Sequence, residues 1–246
     1  MFSSKTRAST AIFFCLLAPM LSAAPITFTS SSGDLSASVK FTISGGNLVA
    51  TLTNTSTNDV LVPSDVLTGV FFNLSGGASL TPITAILGAG STVQFGGTDP
   101  GNSVGGEWAF KQGLSGAPNG LPMGISSTGL GIFGPGDRFP GNNLQGPMEP
   151  DGLQYGITSA NDNLLTGNAK VTGTQALIQN SVVFTLSGLP SGFDPSTAIT
   201  EVFFQYGTSL SENPSLVPEP ATIVLACISG LGAFLGIRRR RSSLIG

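Results

Sequence analysis

The sequence predicts an all-β fold: a β-sandwich or jelly-roll-like ectodomain with a long Gly/Pro-rich loop, framed by an N-terminal signal peptide and a C-terminal transmembrane helix. Three observations predict it. Apolar and polar residues alternate with a period of two through much of the chain, the spacing of half-buried strands. Helical periodicity is nearly absent between the ends. Long apolar runs occur at the two termini, each flanked by basic residues.

The elements follow in order. Lys5 and Arg7 precede the apolar stretch Ala11–Leu21, and small residues follow at Ser22, Ala23 and Ala24. This is the three-part layout of a cleavable secretory signal. Cleavage after Ala23 is preferred to Ala24, because the latter puts Pro25 directly after the cut. Cys15 is no lipoprotein cysteine, since Ile12, Phe13 and Phe14 stand where small residues are needed. The predicted organisation is a signal peptide over 1–23, an ectodomain over 24–208, a linker over 209–216, a sorting signal over 217–241 and a cytoplasmic tail over 242–246.

Thr27–Ser30 is a candidate opening strand. Leu35, Ala37, Val39, Phe41 and Ile43 then fall on one face, with Ser36, Ser38, Lys40 and Thr42 on the other. Ser44–Asn47 is a turn, and Leu48, Ala50 and Leu52 resume the alternation, so the two runs read as a hairpin. Leu67–Ser75 and Ser79–Leu87 read as the next strand pair, joined at Gly76 and Gly77. Thr92–Phe95 and Glu107–Gln112 are shorter candidates. Leu153–Ser159, Gln175–Gly188 and Ile199–Tyr206 supply the later strands. Leu67–Phe72 and Ile199–Phe204 are alike in composition, which fits two core strands better than an internal duplication. Between Gly96 and Gly152, 23 of 57 residues are Gly or Pro, too many for a continuous ladder. Trp108, Phe110, Phe133 and Phe139 are spaced through this stretch as anchors of a packed, irregular excursion. Ser209–Pro218 is polar and broken by proline, and reads as a tether.

Composition excludes several chemistries. Both cysteines, Cys15 and Cys227, lie in the apolar ends, so residues 24–217 hold no disulfide, and there is no histidine. The commonest general base and the preferred ligand of catalytic zinc are thereby missing. Residues 24–217 carry four basic and twelve acidic side chains, a net charge of −8. That surface disfavours nucleic acid.

The candidate chemistry is sparse. Gly129–Gly134 matches a dinucleotide-loop pattern, but Pro135 and Gly136 follow, so no helix starts there to meet a pyrophosphate. Asp99, Glu107, Asp137, Glu149, Asp151 and Asp162 surround the long loop. Converging, they would suit Ca²⁺; no ligand spacing of a known Ca²⁺ loop is present, and solvated turn carboxylates are the default. The same acids, Asp137, Glu149 and Asp151 in particular, would be the carboxylates of a carbohydrate-active enzyme. Trp108, with Glu107 and Lys111, is a sugar-stacking candidate, although a single Trp is more often core. Asn54–Ser56 and Asn73–Ser75 fit the N-glycosylation pattern.

The C-terminus is the most specific feature. Val217, Pro218, Glu219 and Pro220 precede the 17-residue apolar run Ala221–Ile237, which is closed by Arg238, Arg239, Arg240 and Arg241. Seventeen helical residues reach about 26 Å, short of a hydrocarbon core of about 30 Å. The arginine cluster holds that end in the cytoplasm. Pro218 and Pro220 keep Glu219 out of the helix and the chain extended at the outer interface. Gly232 and Gly236 are spaced for close helix packing in lipid.

This constellation resembles the PEP-CTERM sorting signal of Gram-negative bacteria that use an exosortase. The resemblance covers about 30 of 246 residues. It implies recognition at Pro218, Glu219 and Pro220 by a membrane-embedded cysteine-type protease-transpeptidase, removal of the tail, and delivery to the cell surface or matrix. It also implies an association with exopolysaccharide. The expected partners are the exosortase, signal peptidase and the secretion machinery, and the membrane through the C-terminal helix, with polysaccharide as a candidate ligand. No enzymatic activity and no cofactor are expected of the ectodomain. The alternatives are the carbohydrate-active enzyme and an adhesin stabilised by Ca²⁺.

Overall fold

The computed structural model describes residues 23–134, 144, 150, 152–163, 165–173, 175–212 and the backbone of 215–217. The signal-peptide run, Asp137, Glu149, Asp151, and Pro218, Glu219, Pro220 with everything after them lie outside the described residues. Among the described residues no helix is long and apolar enough to cross a membrane.

The described chain is all-β, arranged as two sheets that share a hydrophobic core. The first sheet holds β1 (Ile26–Ser32), β2 (Leu35–Ser44), β3 (Asn47–Asn54), β5 (Thr81–Leu87) and β11 (Ser181–Ser187), in the order β1-β2-β3-β11-β5. The expected hairpin is present: Ile43 pairs with Leu48, and the register runs back to Ala37 opposite Asn54. Ala37, Val39, Phe41, Leu48, Ala50 and Leu52 are buried, as their alternation requires.

The second sheet holds β4 (Leu67–Phe72), β6 (Thr92–Gln94), β9 (Ile157–Thr158), β10 (Leu177–Gln179), β12 (Val202–Tyr206) and β13 (Ser215–Val217), in the order β13-β12-β4-β9-β10-β6. A hairpin of β7 (Ala109–Gln112) and β8 (Met123–Ser126) adds to it through β8 on β4. The two sheets meet at residues such as Phe41 and Phe72, whose ring centroids are 5.3 Å apart.

Two expectations need correction. Leu67–Ser75 and Ser79–Leu87 do not pair with each other. β4 lies in the second sheet beside β12, whereas β5 lies in the first beside β11. The chain between them crosses from sheet to sheet; β4 is buried along its whole length, whereas Ala85 is the one fully buried residue of β5. Within the Gly/Pro-rich stretch the candidate strand Glu107–Gln112 is present as β7, which pairs with β8, Ala109 opposite Ser126 and Gln112 opposite Met123. Glycine makes the close packing possible: a Cβ on Gly124 would stand 2.8 Å from both the Phe71 and Phe133 rings. Last, the segment read as a tether folds back on the domain, with Ser215–Val217 pairing along β12.

The likeness of Leu67–Phe72 and Ile199–Phe204 now has a cause. β4 and β12 are adjacent antiparallel strands, Phe71 opposite Phe203 and Phe72 opposite Val202. Every residue of both strands is buried. One face meets the inter-sheet core. The other meets a second apolar cluster of Phe71, Ala109, Ala117, Leu121, Leu130, Phe133 and Phe203. A strand covered on both faces reads as a continuous apolar run.

Candidate functional site

Two of the concavities lined by described residues are acidic. The larger, about 500 Å³, is lined by Ser32, Asp34, Ser56, Asn58, Asp59 and Asp65 among others. It sits where the β1–β2 turn approaches the loop after β3. Each carboxylate in it is already engaged. Asp34 Oδ1 accepts from Asn58 Nδ2 at 3.0 Å. Asp59 accepts from the Asn163 N–H and the Thr166 hydroxyl, both at 3.1 Å. Asp65 Oδ2 accepts from the Leu61 and Val62 N–H groups at 3.2 Å. Short acidic side chains here fasten turns, their common use in loops.

The smaller concavity, about 140 Å³, is lined by Gly97, Thr98, Asp99, Ser103, Val104, Gly106, Glu107 and Tyr155. Asp99 and Ser103 exchange backbone hydrogen bonds at 2.9 and 3.2 Å, closing a tight loop. The turn Gly105–Glu107 then places Glu107, buried, on the opposite rim. Tyr155 stands between them and donates its hydroxyl to the Gly97 carbonyl at 3.0 Å. Burial first, then the negative charges of Glu107 and Asp99, push the Tyr155 phenol above its ordinary value. The site therefore disfavours anions.

The sequence-selected carboxylates thus divide. Asp99 and Glu107 share the smaller concavity. Asp162 lies elsewhere: it is buried, and its Oδ1 accepts the Val60 N–H at 2.8 Å. Burial raises its pKa, the Val60 hydrogen bond opposes that, and the neighbouring Asp59 adds to it. Among the described residues no three metal-binding side chains come together.

The sugar-stacking reading of Trp108 is overturned. The indole is fully buried, 5.0 Å from the Phe184 ring. Asn54 is 2% exposed, so its side chain is closed to a glycosylating enzyme. Asn73 is held by Thr200 and Glu201. Gly129–Gly134 forms a turn in which Phe133 N–H donates to the Gly129 carbonyl at 2.8 Å, and Phe133 enters the outer apolar cluster. Sequence reasoning passed over Tyr155, Asp34, Asp59 and Asp65. Tyr155 carried a signal, as one of two tyrosines in the chain; the three acids carried none beyond being turn residues.

Compared with known proteins, the chain matches no family model, no curated protein and no solved structure.

Proposed function

We propose that this chain is an exported bacterial surface or extracellular-matrix protein, processed by an exosortase at its C-terminal motif. Its ectodomain is a non-enzymatic β-sandwich with a structural or adhesive role associated with exopolysaccharide. One observation carries the reading: Val217, Pro218, Glu219 and Pro220, the apolar run Ala221–Ile237 and Arg238–Arg241 occur in that order and adjoin without a gap. The secretory layout ending at Ala23 and Ala24 supports export by signal peptidase and the secretion machinery. In this scheme the helix holds the chain in the inner membrane with the ectodomain in the periplasm, until cleavage at the motif passes it to the surface.

The ectodomain supports the structural role in two ways. It builds its core without cysteine, and the carboxylates of its larger cleft, Asp34, Asp59 and Asp65, are engaged by neighbouring N–H and O–H groups rather than aimed at one another. The test is mass spectrometry of the mature protein from its native host, wild type against Glu219→Ala. Loss of residues after the motif in wild type, with retention in the variant, is expected. A C-terminus that is identical in the two, with Arg238–Arg241 still attached, overturns the proposal. A glycan-array screen of residues 24–217 then addresses the polysaccharide.

A further inference from the structure

The chain contains two Asp–Pro bonds, Asp99–Pro100 and Asp194–Pro195, and the fold treats them oppositely. An Asp–Pro link is the peptide bond most open to mild acid. The aspartate carboxylate can close on its own main-chain carbonyl through a five-membered ring, so the attack is intramolecular. The amide to proline is tertiary, and its nitrogen takes a proton and leaves more readily than that of an ordinary peptide.

At Asp194 the carboxylate is held away from that path. Its Oδ1 caps the short helix α1 (Pro195–Ala198), accepting the Ser196 N–H at 2.9 Å and the Ser196 hydroxyl at 2.8 Å, and Pro195 is buried. Asp99 is the reverse. Asp99, Pro100, Gly101 and Asn102 are all exposed to water. Among the described residues no hydrogen bond engages the Asp99 carboxylate. Its main chain, by contrast, is fixed. The Ser103 N–H donates to the Asp99 carbonyl at 3.2 Å. The loop is pinned to β5 by the Leu87 N–H on the Asn102 carbonyl at 3.0 Å and the Val104 N–H on the Ala85 carbonyl at 2.9 Å. The Asp99 carbonyl thus carries a main-chain donor on its oxygen, which takes up the negative charge of an addition step. The titratable groups across the concavity are Glu107 and Tyr155, and no lysine or arginine lines it, so it offers the Asp99 carboxylate no ion pair.

We propose that Asp99–Pro100 is a self-cleavage site: in mild acid the ectodomain cuts its own chain there and stays assembled as two interleaved pieces. A carboxylate oxygen of Asp99 bonds to the Asp99 main-chain carbonyl carbon. The bond from that carbon to the Pro100 nitrogen breaks, and the nitrogen leaves as an amine after taking a proton from solvent. Water then opens the cyclic anhydride to a C-terminal aspartic acid, so the sum is hydrolysis of a single peptide bond by water. The carboxylate must be ionised while protons are plentiful, which puts the reaction near the ordinary aspartate range, about pH 4. The cut separates β1–β6 from β7 and the strands after it. Yet β3 and β5 pair with β11, β4 pairs with β12, and β6 pairs with β10. Both sheets therefore span the break, and the pieces hold together through the core. The reaction consumes its own site, so the chain turns over no substrate, and it rests on neither the sorting signal nor the polysaccharide.

The test uses the full chain in detergent, held at about pH 4 and kept folded as judged by the emission of its buried Trp108. Samples are denatured and read by intact-mass spectrometry, so the two Asp–Pro bonds are compared within the same molecules. Scission at Asp99–Pro100 is expected at least about tenfold faster than at Asp194–Pro195. Size-exclusion chromatography before denaturation should still show a single particle. In concentrated urea neither aspartate is held, and the preference should vanish. Asp99→Asn removes the carboxylate and Asp99→Glu enlarges the ring it must close, so both exposed-site variants should leave the fold intact and abolish the cut. Equal rates at the two bonds of the folded chain, faster scission at Asp194–Pro195, or a preference that persists in urea would each overturn the proposal. So would a folded chain that stays whole at Asp99–Pro100 while the urea-unfolded chain is cut there.

Discussion

Asn54 Nδ2 donates to the Ile157 carbonyl across 3.0 Å, joining the last residue of β3 in one sheet to β9 in the other. The two residues are 103 positions apart. Asn54 Oδ1 also accepts the Ser56 N–H at 3.0 Å, and the Asn54 N–H donates to the Asn180 carbonyl at 3.0 Å. The buried side-chain amide therefore fixes the loop after β3 to the facing sheet, while the main chain of the same residue holds the end of β3. Asn54→Ala strips a buried carbonyl of its donor, which should cost about 1–3 kcal/mol. Urea unfolding at unchanged m-value would measure it.

Trp108 supplies a probe of the core. It is the chain's one tryptophan, packed on Phe184 and fully buried. Native emission should be blue-shifted and should move red in a single transition with denaturant. Oligosaccharides should leave it unquenched. Trp108→Ala should cost about 3–5 kcal/mol, while Trp108→Phe should keep the fold at a smaller loss.

Asp162 makes stability depend on pH in a direction opposite to acid denaturation. Its native pKa is raised by burial. Between the ordinary carboxylate value near about 3.9 and that raised value, the native state holds more proton than the unfolded state. This contribution therefore weakens the fold as pH climbs through that window and relieves it as pH falls. Asp162→Asn keeps an oxygen for the Val60 N–H and removes the charge, so the dependence across the window should flatten without loss at neutral pH. Asp162→Ala leaves that N–H unpaired and should cost about 1–3 kcal/mol at any pH. Thermal melts of the three proteins between pH 4 and pH 7 would separate these outcomes.

Gly188 follows β11 with φ +97°, and a Cβ there would collide with the Ser79 carbonyl oxygen. Gly188→Ala combines a disfavoured backbone with a collision against main chain, neither of which a rotamer can relieve. A loss of about 2 kcal/mol or more is expected, read as a lower midpoint in denaturant. Gly45→Ala is the control: its φ is also positive, but nothing lies near the new methyl, so the loss should be smaller.

The Glu212 carboxylate that gathers the Thr208 and Ser209 N–H groups should matter locally. Glu212→Ala is expected to raise amide hydrogen exchange in residues 207–217 while the β2–β3 hairpin keeps its protection. Loss of protection throughout would instead make the turn part of the global unfolding unit.

The sequence alone determined where strands form and which way most of them face. Alternation over Leu35–Leu52 predicts the β2–β3 hairpin to its register, because the period of two is a local property and a two-residue turn fixes the pairing. It also determined that the core closes without disulfides, and it carries the C-terminal constellation entire. Tertiary structure alone decided the partners. Leu67–Phe72 and Thr81–Leu87 are neighbours in sequence yet go to different sheets, since what selects a partner is burial against strands far along the chain, β12 and β11. The same holds for Trp108, whose place under Phe184 no local pattern encodes, and for Asp99, Glu107 and Tyr155, which meet through loop closure. Ser215–Val217 is the clearest instance: three residues with little strand signal of their own become a strand because β12 offers them an edge.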